Sequence, residues 1–244
     1  MKVKATNIFS GLRLFDWVLI LGVTVCTMIY SCFSTDSFAD FDWLGTLVAV
    51  TGIFSVVLTT HRNIFNYAFG LVNVAAYAYV AYKSNLLGDC LIYAFYYLPM
   101  QILGWISWSR NSSEEDASTV SSFRMNWKGR TVTGTVSAIA TIGLGLCLLW
   151  LKNMAVDHPF IAQWHLFSEF PFRDAVTTVF SAVGMYLMVK AYAEQWFFWI
   201  AVDVVSISIW VMFAIQGTPH AAVMVIMYVF YLANCINGAM QWRR

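Results

Sequence analysis

Apolar residues in this chain fall in long, unalternating runs separated by short polar breaks. Eight runs lie near 16–34, 43–60, 63–82, 87–108, 131–151, 174–193, 195–216 and 219–242. Each approaches the roughly 20 residues that a helix needs to cross a hydrocarbon core. The breaks carry turn or charge chemistry: Asp36 to Asp42, His61-Arg62, Lys83 to Asp89, Arg110 to Arg130, Lys152 to Arg173, Lys190 to Gln195 and Gly217-Thr218-Pro219. Hydrocarbon cannot solvate backbone amides, so such runs form helices or a closed barrel, and the missing alternation excludes the barrel. The predicted fold is an all-α polytopic membrane protein with eight transmembrane helices.

The helix ends repeat. Helix four closes on Tyr97-Leu98, Gly104, Trp108 and Arg110, and helix eight on Tyr231-Leu232, Gly238, Trp242 and Arg244 at the same spacing. Asn66-Tyr67 at the start of helix three matches Gln195-Trp196 at the start of helix seven, and Asn73 corresponds to Asp203 with a one-residue shift. Helices two to four and six to eight therefore form two copies of a three-helix unit. Helix five restores the direction of the chain, so the copies run parallel about an axis along the membrane normal. The predicted organisation is an extra helix over 1–40, a first repeat over 41–110, a cytoplasmic linker over 111–130, a connecting helix and outer loop over 131–172, and a second repeat over 173–244. The linker carries Glu114-Glu115-Asp116 and then Arg124, Lys128 and Arg130. It is expected to be solvated, with its basic end against anionic headgroups.

Charge sets the orientation. With the N-terminus inside, inner segments hold eleven of the basic residues and outer segments only Lys83, Lys152 and Arg173, so both termini are expected to be cytoplasmic. The first run could also be a cleaved signal peptide ending near Ser37-Phe38-Ala39, but its length favours a retained helix. Composition agrees with a membrane protein: 60% of residues are hydrophobic and 11% charged, against about 25% charged in soluble domains. A net charge of +1 offers no nucleic-acid footprint. The five cysteines lie in or beside apolar runs with no C-x-x-C pair and are assigned to packing. His158, His165 and Glu169 share a loop and are the one candidate metal set, although polar loop residues are the simpler assignment. No cofactor is expected.

Polar groups inside a span usually face the bundle interior or a watery cavity. At 100° per residue, Asn66, Gly70, Asn73 and Tyr77 make one stripe on helix three, and Tyr93, Tyr97, Gln101, Gly104 and Trp108 make one on helix four. Trp196, Trp199, Asp203 and Trp210 share an arc on helix seven, as do Tyr231, Asn234, Gly238 and Trp242 on helix eight, with Asn237 beside them. The candidate substrate-binding residues are Asn66, Asn73, Tyr97, Gln101, Trp196, Trp199, Asp203, Asn234 and Asn237. Aromatic planes with amides suit a flat heteroaromatic ring bearing hydroxyls. The competing assignments are an interfacial aromatic belt for Trp17, Trp108 and Trp242, close helix packing for Gly70, Gly104 and Gly238, and interhelical hydrogen bonding for the amides.

At these residues the chain resembles the PnuC family of vitamin transporters. The likeness rests on Asn66-Tyr67-x-x-Gly70-Leu71-x-Asn73, Gly88-Asp89 with Tyr96 and Tyr97, Gly104-Trp105-x-x-Trp108, Gln195-Trp196-x-x-Trp199-Ile200 and Asn234-x-x-Asn237-Gly238. The resemblance implies a SWEET-like core of three plus one plus three helices and a homotrimer. It implies import of nicotinamide riboside by facilitated diffusion, trapped when a cytoplasmic kinase phosphorylates the riboside. It also implies substrate contact by the W-x-x-W pair, Trp196 and Trp199, and the N-x-x-N pair, Asn234 and Asn237. Asp203 stands where the family implies an amide. Relatives of the fold that carry thiamine, riboflavin or deoxynucleosides supply the alternative substrates.

Two other classes compete. An intramembrane enzyme would need clustered catalytic groups, and the sequence has no G-x-S-x-G, no H-E-x-x-H and no paired intramembrane carboxylates. A membrane receptor would show no uptake. Asp203 is the one clear mid-span acid, which is a poor basis for ion coupling. Counterflow of the riboside in vesicles is expected to persist after either the sodium or the proton gradient is abolished.

Overall fold

The computed structural model describes residues 8–9, 11–33, 41–83, 87–112, 118–157, 170–217 and 221–242. The candidate metal set His158, His165 and Glu169 lies outside them, as do Ser37-Phe38-Ala39, Glu114-Glu115-Asp116 and the side chain of Asp89. The described elements are helices α1 (Leu14–Phe33), α2 (Trp43–Thr60), α3 (Asn66–Lys83), α4, α5 (Trp127–Asp157), α6 (Pro171–Val189), α7 (Gln195–Ile215) and α8 (Ala221–Gln241). Helix α4 is continuous through three stretches, Leu87–Ile92, Tyr93–Tyr97 and Leu98–Arg110.

Seven of these are long and apolar enough to cross a membrane, and α3 is not among them. Of the eight expected runs, the one over 63–82 falls short of this measure, because Asn66, Asn73 and four tyrosines dilute its hydrophobicity. Asn66, Tyr67 and Tyr77 turn inward and are buried, whereas Tyr79 and Tyr82 are exposed. The exposed surface is apolar instead, as on α5, where Val132, Val136, Ile139, Ile142 and Leu146 are open. Side-chain hydroxyls within the spans close on their own helix, as when Thr27, Thr59 and Ser137 donate to carbonyls one turn back.

Local chemistry sets several boundaries. Asp42 caps α2 by accepting the Gly45 amide at 2.8 Å. Asn126 does the same for α5 through Gly129 at 2.8 Å, so α5 starts at Trp127, ahead of the apolar run at 131. In α4 the residue after Leu98 is Pro99, which has no N–H to give and crowds the carbonyl one turn back. The helix widens there into a π-helical turn in which the Leu98 amide donates to Tyr93 O.

Helices α2, α3 and α4 pack as one unit and α6, α7 and α8 as another, and contacts of α2 with α8 and of α4 with α6 close a six-helix ring. Helix α5 packs on α6, and α1 on α2 and α8. Asp16 on α1 is fully buried, accepts the Arg13 amide at 2.7 Å and meets His61 Nε2 at 2.7 Å. This pair ties α1 to the end of α2.

The turns after α2 and α6 share one backbone solution. Arg62 has φ 57° and Ala191 φ 55°. Around them Arg62 N donates to Thr59 O and Asn63 N to Leu58 O, while Ala191 N donates to Met188 O and Tyr192 N to Leu187 O, all at 2.9 Å. This double bond is the helix-ending motif usually built on a left-handed glycine. It leaves the next carbonyls unpaired within the helix, and residues of the opposite unit take them. Trp242 Nε1 donates to Thr60 O at 3.0 Å and Ser107 Oγ to Val189 O at 3.1 Å, while Trp108 Nε1 adds a further bond at 3.0 Å to Met188 O, which already accepts the Ala191 amide. Trp108 and Trp242 are 0% and 2% exposed. The interfacial-belt assignment is therefore corrected for both, since carbonyls at the ends of α2 and α6 hold the indoles inside.

Residues 118–123 of the linker form a strap across both turns, with Val120 buried and Phe123 exposed. Ile64 N donates to Ser118 O and Val120 N to Arg62 O, while Phe123 N donates to Ala191 O and Ala193 N to Phe123 O. Beyond the strap, buried Glu194 holds Arg130 at 2.9 Å and the Met125 amide at 3.2 Å.

Replacing Trp242 by Phe keeps a ring but strands the buried Thr60 carbonyl, a loss of about 1–3 kcal/mol. Trp242→Phe is expected to lower the unfolding temperature of the detergent-solubilised protein, whereas Trp150→Phe on the exposed face of α5 leaves it unchanged.

Candidate substrate site

The ring encloses a cavity of about 150 Å³ to which all six of its helices contribute. Helix α3 supplies Gly70 and Asn73, α4 supplies Tyr93, Tyr97 and Gln101, α7 supplies Trp196, Trp199 and Asp203, and α8 supplies Tyr228, Tyr231 and Cys235. Helices α2 and α6 line it with Ser55, Thr59, Ser181, Met185 and Met188.

Several of these side chains stand where they do because the facing helix carries glycine. A Cβ on Gly238 would strike the Trp196 ring, one on Gly184 would crowd the Trp199 ring, and one on Gly70 would strike the Gln101 amide. Gly104 gives the same room to Tyr67. The close-packing assignment for Gly70, Gly104 and Gly238 thus has a specific form, a side chain of the site or its floor laid over bare backbone. The π-helical turn brings Tyr93 and Tyr97 into one aromatic group with Tyr77, with ring centroids 4.2 Å apart for Tyr77–Tyr93 and 4.8 Å for Tyr93–Tyr97.

Six of the nine candidate residues line the cavity: Asn73, Tyr97, Gln101, Trp196, Trp199 and Asp203. Asn73 also spends its amide on the wall, donating to Val48 O at 2.6 Å. The other three do not line it. Asn66 is fully buried and donates to Asn63 O at 2.7 Å. Asn234, also fully buried, donates to Val56 O at 2.9 Å and accepts from Thr60 Oγ1 at 3.2 Å, which bridges α8 to α2. Asn237 accepts from Gln241 at 3.1 Å. Beneath the cavity, Tyr67, Trp108, Trp196 and Trp242 form a continuous ring cluster, with centroids 5.1 Å apart for Tyr67–Trp108 and 5.7 Å for Trp196–Trp242.

Sequence reasoning missed the contributions of α2 and α6, since small hydroxyls and methionines carry no signal against an apolar helix. It also assigned Cys235 to packing alone, yet this residue lines the cavity.

Most buried polar atoms of the ring are paired. Three that line the cavity are not: Gln101 Oε1, Trp196 Nε1 and Asp203 Oδ2 have no hydrogen-bond partner among the described residues. They offer two acceptors and one donor among aromatic faces. An arrangement of this kind binds a flat polar molecule by stacking and a few directed hydrogen bonds.

Comparison with known proteins agrees. The family model described as "Nicotinamide mononucleotide transporter" matches residues 42–244. The nicotinamide riboside transporter PnuC of Neisseria mucosa is 31% identical over 240 residues, covering 98% of this chain and 84% of that one. The PnuC of Haemophilus influenzae is 29% identical, covering 96% and 92%. The crystal structure of the vitamin B3 transporter PnuC superposes with a TM-score of 0.76 at 29% identity, covering 97% of this chain and 93% of the other. A polar, aromatic cavity at the centre of a membrane-type helix ring and a family match over most of the sequence lead to one conclusion: the chain belongs to the PnuC family of nicotinamide mononucleotide transporters.

Proposed function

We propose that this protein carries nicotinamide riboside across the cytoplasmic (inner) membrane by facilitated diffusion, using the central cavity as its substrate site. The observation that carries the reading is the set of unpaired atoms that Gln101, Trp196 and Asp203 present at one cavity. The rings of Trp196, Trp199 and Tyr97 would hold the heterocycle, and Gln101 and Asn73 would meet its amide or the sugar. Asn234, Asn66 and Asn237 would act on the site through the helices they fix.

The finer architecture belongs to the same proposal. Helix α3 is an eighth span whose polar face is turned to the cavity, and α2–α4 and α6–α8 are parallel repeats about a normal to the membrane. The matched turns at Arg62 and Ala191 support this. The count of basic residues supports cytoplasmic termini. A homotrimer and trapping by a cytoplasmic riboside kinase complete the proposal by family resemblance.

The family model's description names the mononucleotide, but the cavity lining favours the riboside. Among the described residues no Arg, Lys or His lines it to pair with a phosphate, and Asp203 would repel one. Calorimetry on purified protein is expected to show binding of nicotinamide riboside and none of its phosphorylated form. Equal affinity for the two would refute the assignment. Trp196→Leu and Trp199→Leu are each expected to weaken riboside binding by about 1–2 kcal/mol, from the loss of a stacked cationic ring. Gln101→Leu is expected to cost about 1 kcal/mol for one hydrogen bond.

A further inference from the structure

Among the described residues Asp203 is the only acidic or basic one that lines the cavity. It lies one helical turn beyond Trp199 on α7, so its carboxyl and that indole point the same way. Its Oδ2 is buried without a hydrogen-bond partner among the described residues. Neither ion pair among the described residues, His61 with Asp16 or Arg130 with Glu194, reaches it.

A buried carboxylate is costly unless a positive group meets it. Among the described residues no basic side chain lines the cavity to be that group, and the rings of Trp196, Trp199 and Tyr231 line it instead. Aromatic faces and a carboxylate attract the same class of ligand, a flat monovalent cation. N-ribosylated nicotinamide is such a cation, because the bond to the sugar leaves the pyridine nitrogen positively charged.

We infer that Asp203 determines the specificity of the site by reading ring charge: it admits a cationic aromatic ring and rejects the same ring when neutral or bearing a carboxylate. This rests on the function proposed for the cavity and adds to it the residue that distinguishes one ring from another. The carboxylate is the counter-charge and the indoles are the walls.

The test uses three ribosides titrated calorimetrically into the full chain: nicotinamide riboside, its neutral 1,4-dihydro form, and nicotinate riboside, whose ring carries a carboxylate. The parent protein is expected to favour the cationic ring over either of the others by about tenfold or more, as one close charge pair provides. Asp203→Asn is expected to bind nicotinamide riboside about tenfold more weakly and the dihydro form about as well as the parent does, which also shows that the variant is folded. An undiminished preference for the cationic ring in Asp203→Asn would overturn the inference. Equal binding of nicotinamide riboside and nicotinate riboside by the parent protein would overturn it as well, without any variant. If the parent bound none of the three, the proposed function would fall and the charge rule with it. If it bound nicotinamide riboside without preference, only the charge rule would fall.

Discussion

A helix that ends inside a protein leaves its last carbonyls without partners, and at the ends of α2 and α6 these groups organise the whole ring. Each end turns through a left-handed residue, Arg62 or Ala191, and closes two of its carbonyls locally. The next ones, Thr60 O and Val189 O, are met from across the molecule by Trp242 on α8 and Ser107 on α4, and Trp108 on α4 adds a second bond to Met188 O. The first unit is therefore closed by a side chain of the second, and the second by side chains of the first. The strap at 118–123 uses the free backbone groups of the same two turns, so one short segment holds both units at the end where their helices are pinned.

A lost hydrogen bond costs about 1–3 kcal/mol when the group stays buried, and at the C-terminal ends of α2 and α6 indole and hydroxyl donors meet the carbonyls. The residues between them are different in kind. Gln101, Trp196 and Asp203 are held by packing, over glycine in the case of Gln101 and Trp196, rather than by their own polar atoms. Their orientation is fixed while their hydrogen-bonding capacity is left for another molecule, which is preorganisation in the ordinary sense.

Much of this was legible in the chain itself. Run lengths located the helices, with α2 matching its predicted limits. Angular stripes placed Asn73, Tyr97, Gln101, Trp196, Trp199 and Asp203 on one cavity because 100° per residue is a rigid rule for side chains on straight helices. The rule fails where a side chain has a closer partner. Asn234 lies on the right arc yet is claimed by Val56 O and Thr60 Oγ1 on α2. Trp108 and Trp242 have the composition of an interfacial belt, and only the turns after α2 and α6 reveal why they are buried. The polarity of the strap was visible in the chain and its backbone partners were not. Pro99 was a visible signal for the wide turn in α4, since a proline within an apolar run must displace a bond somewhere.

The two units are alike in frame and unlike in the cavity. Tyr67 lies over Gly104 in one and Trp196 over Gly238 in the other, and both rings belong to the same buried cluster. Further along α3 and α7 the correspondence diverges: Asn73 gives its amide to Val48 O, whereas Asp203 keeps an oxygen free. A pair of identical units would present a symmetric cavity, suited to a symmetric ligand or to none in particular. Placing the amide of Gln101 on one side and the carboxylate and indole of α7 on the other gives the cavity a direction. A heterocycle with a sugar on one end and a charge on its ring has such a direction too. It can then be bound in one orientation by a frame whose backbone supplies two near-equivalent halves.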